Sequence, residues 1–123
     1  MGSLTSFSRE ICGPGQKAEH SWTPASDIEI YVLLCRGREA GPLVVATAGI
    51  HGDEYEGIQA VWKVYESLVP DEMWGDFLGV PIAHVTAYRT ISRDSPLDGK
   101  NLARTFPGQP EGTVTERLAH FLF

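Results

Sequence analysis

Cysteine is scarce in this sequence, with Cys12 and Cys35 as its two examples among 123 residues. Two cysteines are too few for a disulfide framework, and this pair lacks the close spacing of a zinc knuckle. Neither a disulfide-rich secreted fold nor a thiolate metal site is therefore predicted. Cys35 ends an apolar run, and we expect it to be a buried thiol.

Long hydrophobic runs and basic clusters are also missing. The longest apolar stretches, around residues 28–35 and 43–50, are far shorter than the roughly 20 residues that cross a bilayer. The first ten residues have neither a basic start nor a continuous apolar segment, so no secretory signal is predicted. The net charge of −6 argues against a nucleic acid or an anionic membrane as partner. We expect a cytoplasmic protein without those partners.

The sequence divides into a lead-in and one domain. Residues 1–26 are rich in Gly, Ser, Thr and Pro and predict an irregular or edge-forming lead-in. Residues 27–123 hold the apolar material for a single core, since 42% of the chain is hydrophobic. Apolar and β-branched runs predict three strands over 27–35, 41–50 and 77–88, the first two joined by a hairpin or short connection.

Two helices are predicted around these strands. Apolar residues recur at helical spacing over 58–69, and Asp53 with Glu56 resembles a capping box at the start. Thr113 and Glu116 repeat that pattern before a second helix, which ends on "FLF" without a glycine cap. The proline- and glycine-rich stretch between the last strand and this helix predicts a long loop.

The order strand, helix, strand implies a right-handed crossover between parallel strands. We therefore predict an α/β fold of three layers, α/β/α, with a mixed and partly parallel sheet. Because the last helix looks interrupted, this domain is expected to be incomplete at its C-terminal side.

The stretch "AGIHGDEYEG" lies where the second strand meets the first helix. His51 and Glu54 are three residues apart, so one tight turn can present both side chains to one point. An imidazole nitrogen and a carboxylate oxygen are ligands suited to Zn²⁺, and neighbouring glycines allow the backbone to approach an ion. The alternative is a loop histidine beside acids that begin a helix, which we prefer for Asp53 and Glu56.

Two longer stretches, "GPLVVATAGIHGDEYEG" and "VPIAHVTAYRTISRDSPLDGKNLARTFPG", resemble the succinylglutamate desuccinylase/aspartoacylase family, which is related to the zinc carboxypeptidases. The resemblance covers roughly residues 40–120 and implies a zinc carboxypeptidase-like fold. By this likeness His51 and Glu54 are the first two zinc ligands, and Arg93 is the arginine that polarises the scissile carbonyl.

The stretch "NLARTFPG" resembles the family pattern N-L-N-R-x-F-P-G, in which an Asn-Arg pair holds the substrate carboxylate. Arg104 matches the arginine of that pair, whereas Ala103 stands where the asparagine is expected. A guanidinium suits this task because it can bind a carboxylate through two parallel hydrogen bonds. Asn101 is two residues away and is expected to point elsewhere, so it is given no role.

Family members also bring a third zinc ligand, a His, and a catalytic Glu from beyond this length. The three remaining histidines do not replace that ligand: we expect His84 to be a core residue, His120 to be exposed on a helix, and His20 to lie in the polar lead-in. The chain alone is therefore expected to bind Zn²⁺ weakly and to be inactive.

The resemblance implies the N-terminal part of a zinc-dependent hydrolase that acts on an N-acyl amino acid or related amide or ester carrying a carboxylate. Ala103 and the missing ligand leave open a non-catalytic remnant or binding module on the same scaffold. A dimer that shares His120 in trans is a third reading, and the oligomeric state is otherwise undetermined.

Overall fold

The computed structural model describes residues 4–123, which form one four-stranded sheet with helices on both faces. Two short 3-10 helices, Pro70–Glu72 and Leu102–Arg104, lie in the connections. No helix within residues 4–123 is long and apolar enough to span a membrane. The main elements in chain order are α1 (Leu4–Ile11), β1 (Lys17–Ala25), β2 (Ile28–Arg36), β3 (Glu39–Thr47), α2 (Glu56–Ser67), β4 (Trp74–Val80), α3 (Val85–Arg89) and α4 (Val114–Leu122).

The sheet is mixed, with the strand order β1-β2-β4-β3. β1 and β4 each pair antiparallel with β2, whereas β3 pairs parallel with β4. The predicted parallel crossover is therefore confirmed as β3–α2–β4. The predicted hairpin between the first two strands of the domain is wrong, because β4 lies between β2 and β3; the alternative of a short connection is correct.

Both faces of the sheet are covered by helices, which confirms the three-layer fold class. β2 shows why: Ile30 and Val32 belong to the core cluster that α1 and α4 join, whereas Leu33 and Cys35 belong to the cluster under α2. Because these side chains alternate between the faces and all are buried, β2 needs cover on both sides. Cys35 is the buried thiol that the sequence predicts, and burial raises its pKa.

The lead-in is more ordered than predicted. Residues 4–11 form α1, and β1 is an edge strand of the sheet. The prediction of an irregular segment is therefore wrong for α1 and β1, whereas the prediction of an edge-forming segment is correct for β1. Residues 1–3 lie outside the described residues. Packing explains the difference, since Phe7 stacks on the buried Trp22 with ring centroids 5.8 Å apart. Local composition cannot reveal such a tertiary contact.

Two further predictions about element boundaries are wrong. The strand predicted over 77–88 ends at Val80, and the chain turns after Pro81 into α3, since proline cannot donate a hydrogen bond to a sheet ladder. The capping box predicted at Asp53 and Glu56 does not form. The N-cap of α2 is Tyr55, without a side-chain hydrogen bond, because the turn around His51 delays the start of the helix.

The loop after α3 contains a strained residue, Ile91, whose φ of 52° is unfavourable for a β-branched side chain. Ile91 is 70% exposed, so packing does not compensate for this strain. We expect Ile91→Gly to stabilise the fold by about 1 kcal/mol, the strain relieved exceeding the entropy cost of glycine. Urea unfolding measures this change.

Leu97→Gly is the matched control, because Leu97 is 69% exposed and is not among the described residues with positive φ. Without strain to relieve, this control is expected to lose about 0.5–1 kcal/mol of stability. If both variants are destabilised to the same extent, Ile91 carries no strain in solution.

Candidate metal centre

His51 lies in the loop that follows β3, at the carboxyl end of the parallel strand pair. The Ala48 amide donates to the Val80 carbonyl at 2.9 Å, which extends the β3–β4 pairing into this loop. Gly49 has a φ of 66°, a left-handed conformation that favours glycine. The carboxyl ends of strands are where open α/β sheets bind ligands.

The structure brings His51 and Glu54 into direct contact, as their spacing predicts. His51 Nδ1 faces Glu54 Oε1, and the backbone closes a turn in which the Glu54 amide donates to the His51 carbonyl at 3.4 Å. The His51 side chain is 14% exposed and that of Glu54 59% exposed. The imidazole is therefore held by its surroundings, while the carboxylate faces solvent.

Asn101 lies on the other side of the imidazole and determines which ring nitrogen carries the proton. Its Oδ1 accepts a hydrogen bond from the Ala103 amide at 2.9 Å, so this atom is an acceptor. His51 Nε2 lies 3.1 Å from the same oxygen and must therefore donate to it. In the neutral ring this leaves a lone pair on Nδ1, directed at Glu54.

Two electron-pair donors, His51 Nδ1 and a Glu54 oxygen, thus face one another. Such a pair is stable only with a positive charge between them, either a proton or a metal ion. Nitrogen and oxygen donors of this kind suit Zn²⁺, and an outer partner such as Asn101 on the remote nitrogen is typical of histidines that bind metals. These residues therefore fit a zinc ion as two of its ligands.

Sequence reasoning missed Asn101, which we expected to point elsewhere. It is the N-cap of the 3-10 helix Leu102–Arg104, and the same oxygen that caps this helix reaches His51. An asparagine directly before a short helical turn is a recognisable capping signal. Its contact with a residue 50 positions away is visible only in three dimensions.

Arg104 ends the helical turn that Asn101 caps, so it lies within one turn of the residue that contacts His51. Arg93 lies in the loop after α3. Its neighbour Ser92 is tied to α3, because the Ser92 amide donates to the Ala87 carbonyl. Ala87 in turn packs against Gly52 of the His51 loop. Both arginines are exposed, and neither joins an ion pair with another residue in 4–123. Their guanidinium groups are not neutralised by internal carboxylates.

The other three histidines have the exposure that the sequence predicts, but His84 does not lie in a strand as predicted. His84 is fully buried but is the N-cap of α3, whereas His120 is exposed on α4. His20 is exposed on β1. Across the described residues 4–123, no three His, Cys, Asp or Glu side chains form a cluster that could hold a metal ion.

Two neighbouring cavities, each of about 300 Å³, lie away from His51. They share Glu29, Val85 and Arg89 as lining residues, and neither is lined by the predicted site residues. Neither cavity therefore belongs to the site at His51.

The model of the succinylglutamate desuccinylase/aspartoacylase catalytic domain matches residues 40–123 of this chain. The chain belongs to this family. Membership in the succinylglutamate desuccinylase/aspartoacylase family confirms the resemblance drawn from the motifs around His51 and Arg104.

Within the family, an Nα-acetyl-L-2,4-diaminobutyric acid deacetylase of Halomonas elongata is 44% identical over 84 residues, which are 68% of this chain and 25% of that protein. A solved succinylglutamate desuccinylase/aspartoacylase from Rhodobacter sphaeroides is 34% identical with a TM-score of 0.73, over 87% of this chain and 35% of that chain. The product-bound structure of the ectoine utilization protein EutE (DoeB) of Ruegeria pomeroyi is 36% identical with a TM-score of 0.70. The match covers 85% of this chain and 32% of that chain. The chain thus spans about a quarter to a third of the length of these relatives.

Proposed function

We propose that this chain supplies part of the active site of a zinc-dependent deacylase that hydrolyses an N-acyl amino acid or a related amide or ester. The observation that carries the proposal is the contact between His51 Nδ1 and Glu54 Oε1, with Asn101 holding the opposite ring nitrogen. His51 and Glu54 are proposed as two of the zinc ligands.

A bound zinc ion supplies Lewis acidity, which polarises an amide carbonyl and activates water for attack. The chain's own residues orient these ligands. Asn101 keeps the His51 proton on Nε2 and so leaves Nδ1 ready to bind the ion. Glu54 contributes the negative charge that favours a divalent cation at this position.

Arg93 and Arg104 are proposed to bind the substrate, because their exposed guanidinium groups have no internal partner among residues 4–123. Arg93 would stabilise the negative charge that develops on the carbonyl oxygen as the acyl carbon becomes tetrahedral. Arg104 would hold a substrate carboxylate through paired hydrogen bonds. With Ala103 in place of the family asparagine, one hydrogen-bond partner of that carboxylate is lost, so we expect weaker substrate binding.

The relatives support an N-acyl amino acid as the substrate class. The Halomonas protein deacetylates Nα-acetyl-L-2,4-diaminobutyric acid, and the family name refers to an N-succinylated amino acid. Both compounds carry an amide beside a carboxylate, the two groups that the proposed arginines would contact.

A catalytic zinc ion normally has three protein ligands and an open position. We propose that a third ligand and the group that accepts the proton come from protein outside these 123 residues. The isolated chain is then expected to bind Zn²⁺ weakly and to be inactive. A binding module that retains the scaffold without hydrolysis is the competing outcome, and Ala103 favours it.

The test uses the protein that carries this chain at the length of its relatives. Nα-acetyl-L-2,4-diaminobutyrate and N-succinylglutamate are the probe substrates, and release of the free amine is measured. We expect dialysis against a chelator to abolish hydrolysis and stoichiometric Zn²⁺ to restore it. Hydrolysis that survives chelation contradicts the zinc mechanism, and Zn²⁺ binding without turnover of either probe supports the binding module.

A further inference from the structure

Asn101 is held at the end of a compact turn formed by residues 95–101, called here the Ser95–Asn101 turn. The Ser95 amide donates to the Lys100 carbonyl at 3.0 Å, and the Gly99 amide donates to the Ser95 carbonyl at 2.8 Å. The side chain of Ser95 is buried and accepts a hydrogen bond from Thr86 of α3 at 3.0 Å. The turn therefore behaves as one unit, and its placement determines the position of Asn101.

Asp98 attaches this turn to the first turn of α4. Its carboxylate accepts hydrogen bonds from the Thr115 amide and the Thr115 hydroxyl, both at 2.9 Å, and from the Lys100 amide at 3.1 Å. The Thr115 amide belongs to the first helical turn, where backbone donors lack intrahelical partners and a negative charge is favourable. Burial raises the pKa of Asp98, but these hydrogen bonds outweigh it and leave the pKa below its usual value.

His84 links the same end of α4 to the His51 loop. Its backbone amide donates to the Gly49 carbonyl at 3.0 Å, and its Nδ1 donates to the Ile50 carbonyl at 3.3 Å. Its Nε2 lies 3.5 Å from the Thr115 hydroxyl. His84 and Thr115 are both buried, so the loop that carries His51 and the turn that carries Asn101 meet at one solvent-excluded point.

We propose that Asp98 is a positioning residue for His51: by holding the Ser95–Asn101 turn on α4, it places Asn101 Oδ1 against His51 Nε2 and keeps Nδ1 free to bind a metal ion. Asp98 touches neither His51 nor Glu54 by any hydrogen bond or ion pair within residues 4–123, and it acts through Asn101. The expected effect on metal binding rests on the proposed function. The expected effect on the orientation of the His51 ring does not depend on that function.

The main test compares Asp98→Ala with Asp27→Ala in the chain of 123 residues. Both aspartates anchor α4, since Asp27 binds Arg117 through two hydrogen bonds of 2.9 and 2.6 Å, but within residues 4–123 no hydrogen bond or ion pair joins Asp27 to the Ser95–Asn101 turn. Long-range ¹H–¹⁵N NMR at about pH 8, above the ordinary histidine pKa, reports the protonated nitrogen of His51. Competition titration with Zn²⁺ reports metal affinity and uses the same variants in the protein at the length of its relatives.

We expect Nε2 of His51 to be protonated throughout in wild type and Asp27→Ala, because it donates to Asn101, and Asp98→Ala to show a mixture of forms with and without a proton on Nε2. Zn²⁺ affinity is expected to fall about tenfold in Asp98→Ala, the lower end of the effect of losing an outer partner. The inference is overturned if Asp98→Ala keeps Nε2 protonated throughout, or if Asp27→Ala alters this protonation equally. Absence of Zn²⁺ binding in the protein at the length of its relatives would refute the proposed function, while the protonation of His51 Nε2 would still decide the role of Asp98.

A second pair of variants covers the case in which Asp98→Ala fails to fold. Thr115→Val keeps the shape of the side chain but removes the hydroxyl that donates to Asp98, whereas Thr115→Ser restores it. We expect the valine variant to show the same mixture at His51 Nε2 and the serine variant to resemble wild type. Identical His51 signals in these two variants would overturn the inference.

Discussion

Replacing His51 by alanine is expected to reduce Zn²⁺ affinity by more than about 100-fold, beyond the 10- to 100-fold loss seen when only an outer partner of a ligand is removed. The variant removes the one nitrogen donor of the pair and leaves the half-exposed Glu54 carboxylate without its facing group. A single exposed carboxylate does not retain Zn²⁺ against water. Competition titration with Zn²⁺ measures the change in the protein that carries this chain at the length of its relatives.

His20→Ala is the matched control for this experiment. His20 is exposed on β1, where its Nδ1 contacts the Ser21 carbonyl and its ring packs edge-on against Phe7. Because no contact of His20 within residues 4–123 leads to the His51 loop, we expect wild-type Zn²⁺ affinity in this variant. Equal binding by His51→Ala and wild type would refute the metal centre, and an equal loss in His20→Ala would indicate adventitious histidine binding.

Gly52→Ala is expected to have the largest effect on stability. A Cβ atom on Gly52 would lie 2.1 Å from the backbone carbon and 2.2 Å from the carbonyl oxygen of Ala87 in α3. Backbone atoms cannot rotate away as a flexible side chain can, so α3 and the His51 loop must separate. We expect a loss of about 3 kcal/mol or more in the free energy of unfolding, the upper range for overpacked positions. Urea unfolding followed by circular dichroism measures it.

Gly57→Ala provides the comparison for the added methyl group. Gly57 lies in the first turn of α2, and its nearest prospective contact is the Ala48 side chain at 3.2 Å. Alanine favours a helix by about 1 kcal/mol over glycine, which offsets this tight contact. We expect stability within about 1 kcal/mol of wild type. Equal stability of Gly52→Ala and Gly57→Ala would show that α3 does not pack against the His51 loop as described.

Sequence patterns succeeded where the determining interactions are local. The capping box at Thr113 and Glu116 forms, with the Thr113 amide donating to the Glu116 carboxylate at 2.8 Å, because all its atoms lie within one helical turn. The similar pattern at Asp53 and Glu56 fails, since Asp53 lies in the turn around His51 and α2 begins only at Glu56, with Tyr55 as its N-cap. The same short pattern therefore depends on what the preceding backbone does.

The sequence by itself determined the parallel crossover and the approach of His51 to Glu54, because residues three apart in one turn are neighbours whatever the rest of the chain does. Only the tertiary structure decided that β4 lies between β2 and β3, and that Asn101 contacts His51. These contacts join residues about 40 to 50 positions apart. They depend on burial of the two core clusters and on the attachment of the Ser95–Asn101 turn to α4, which no local periodicity encodes.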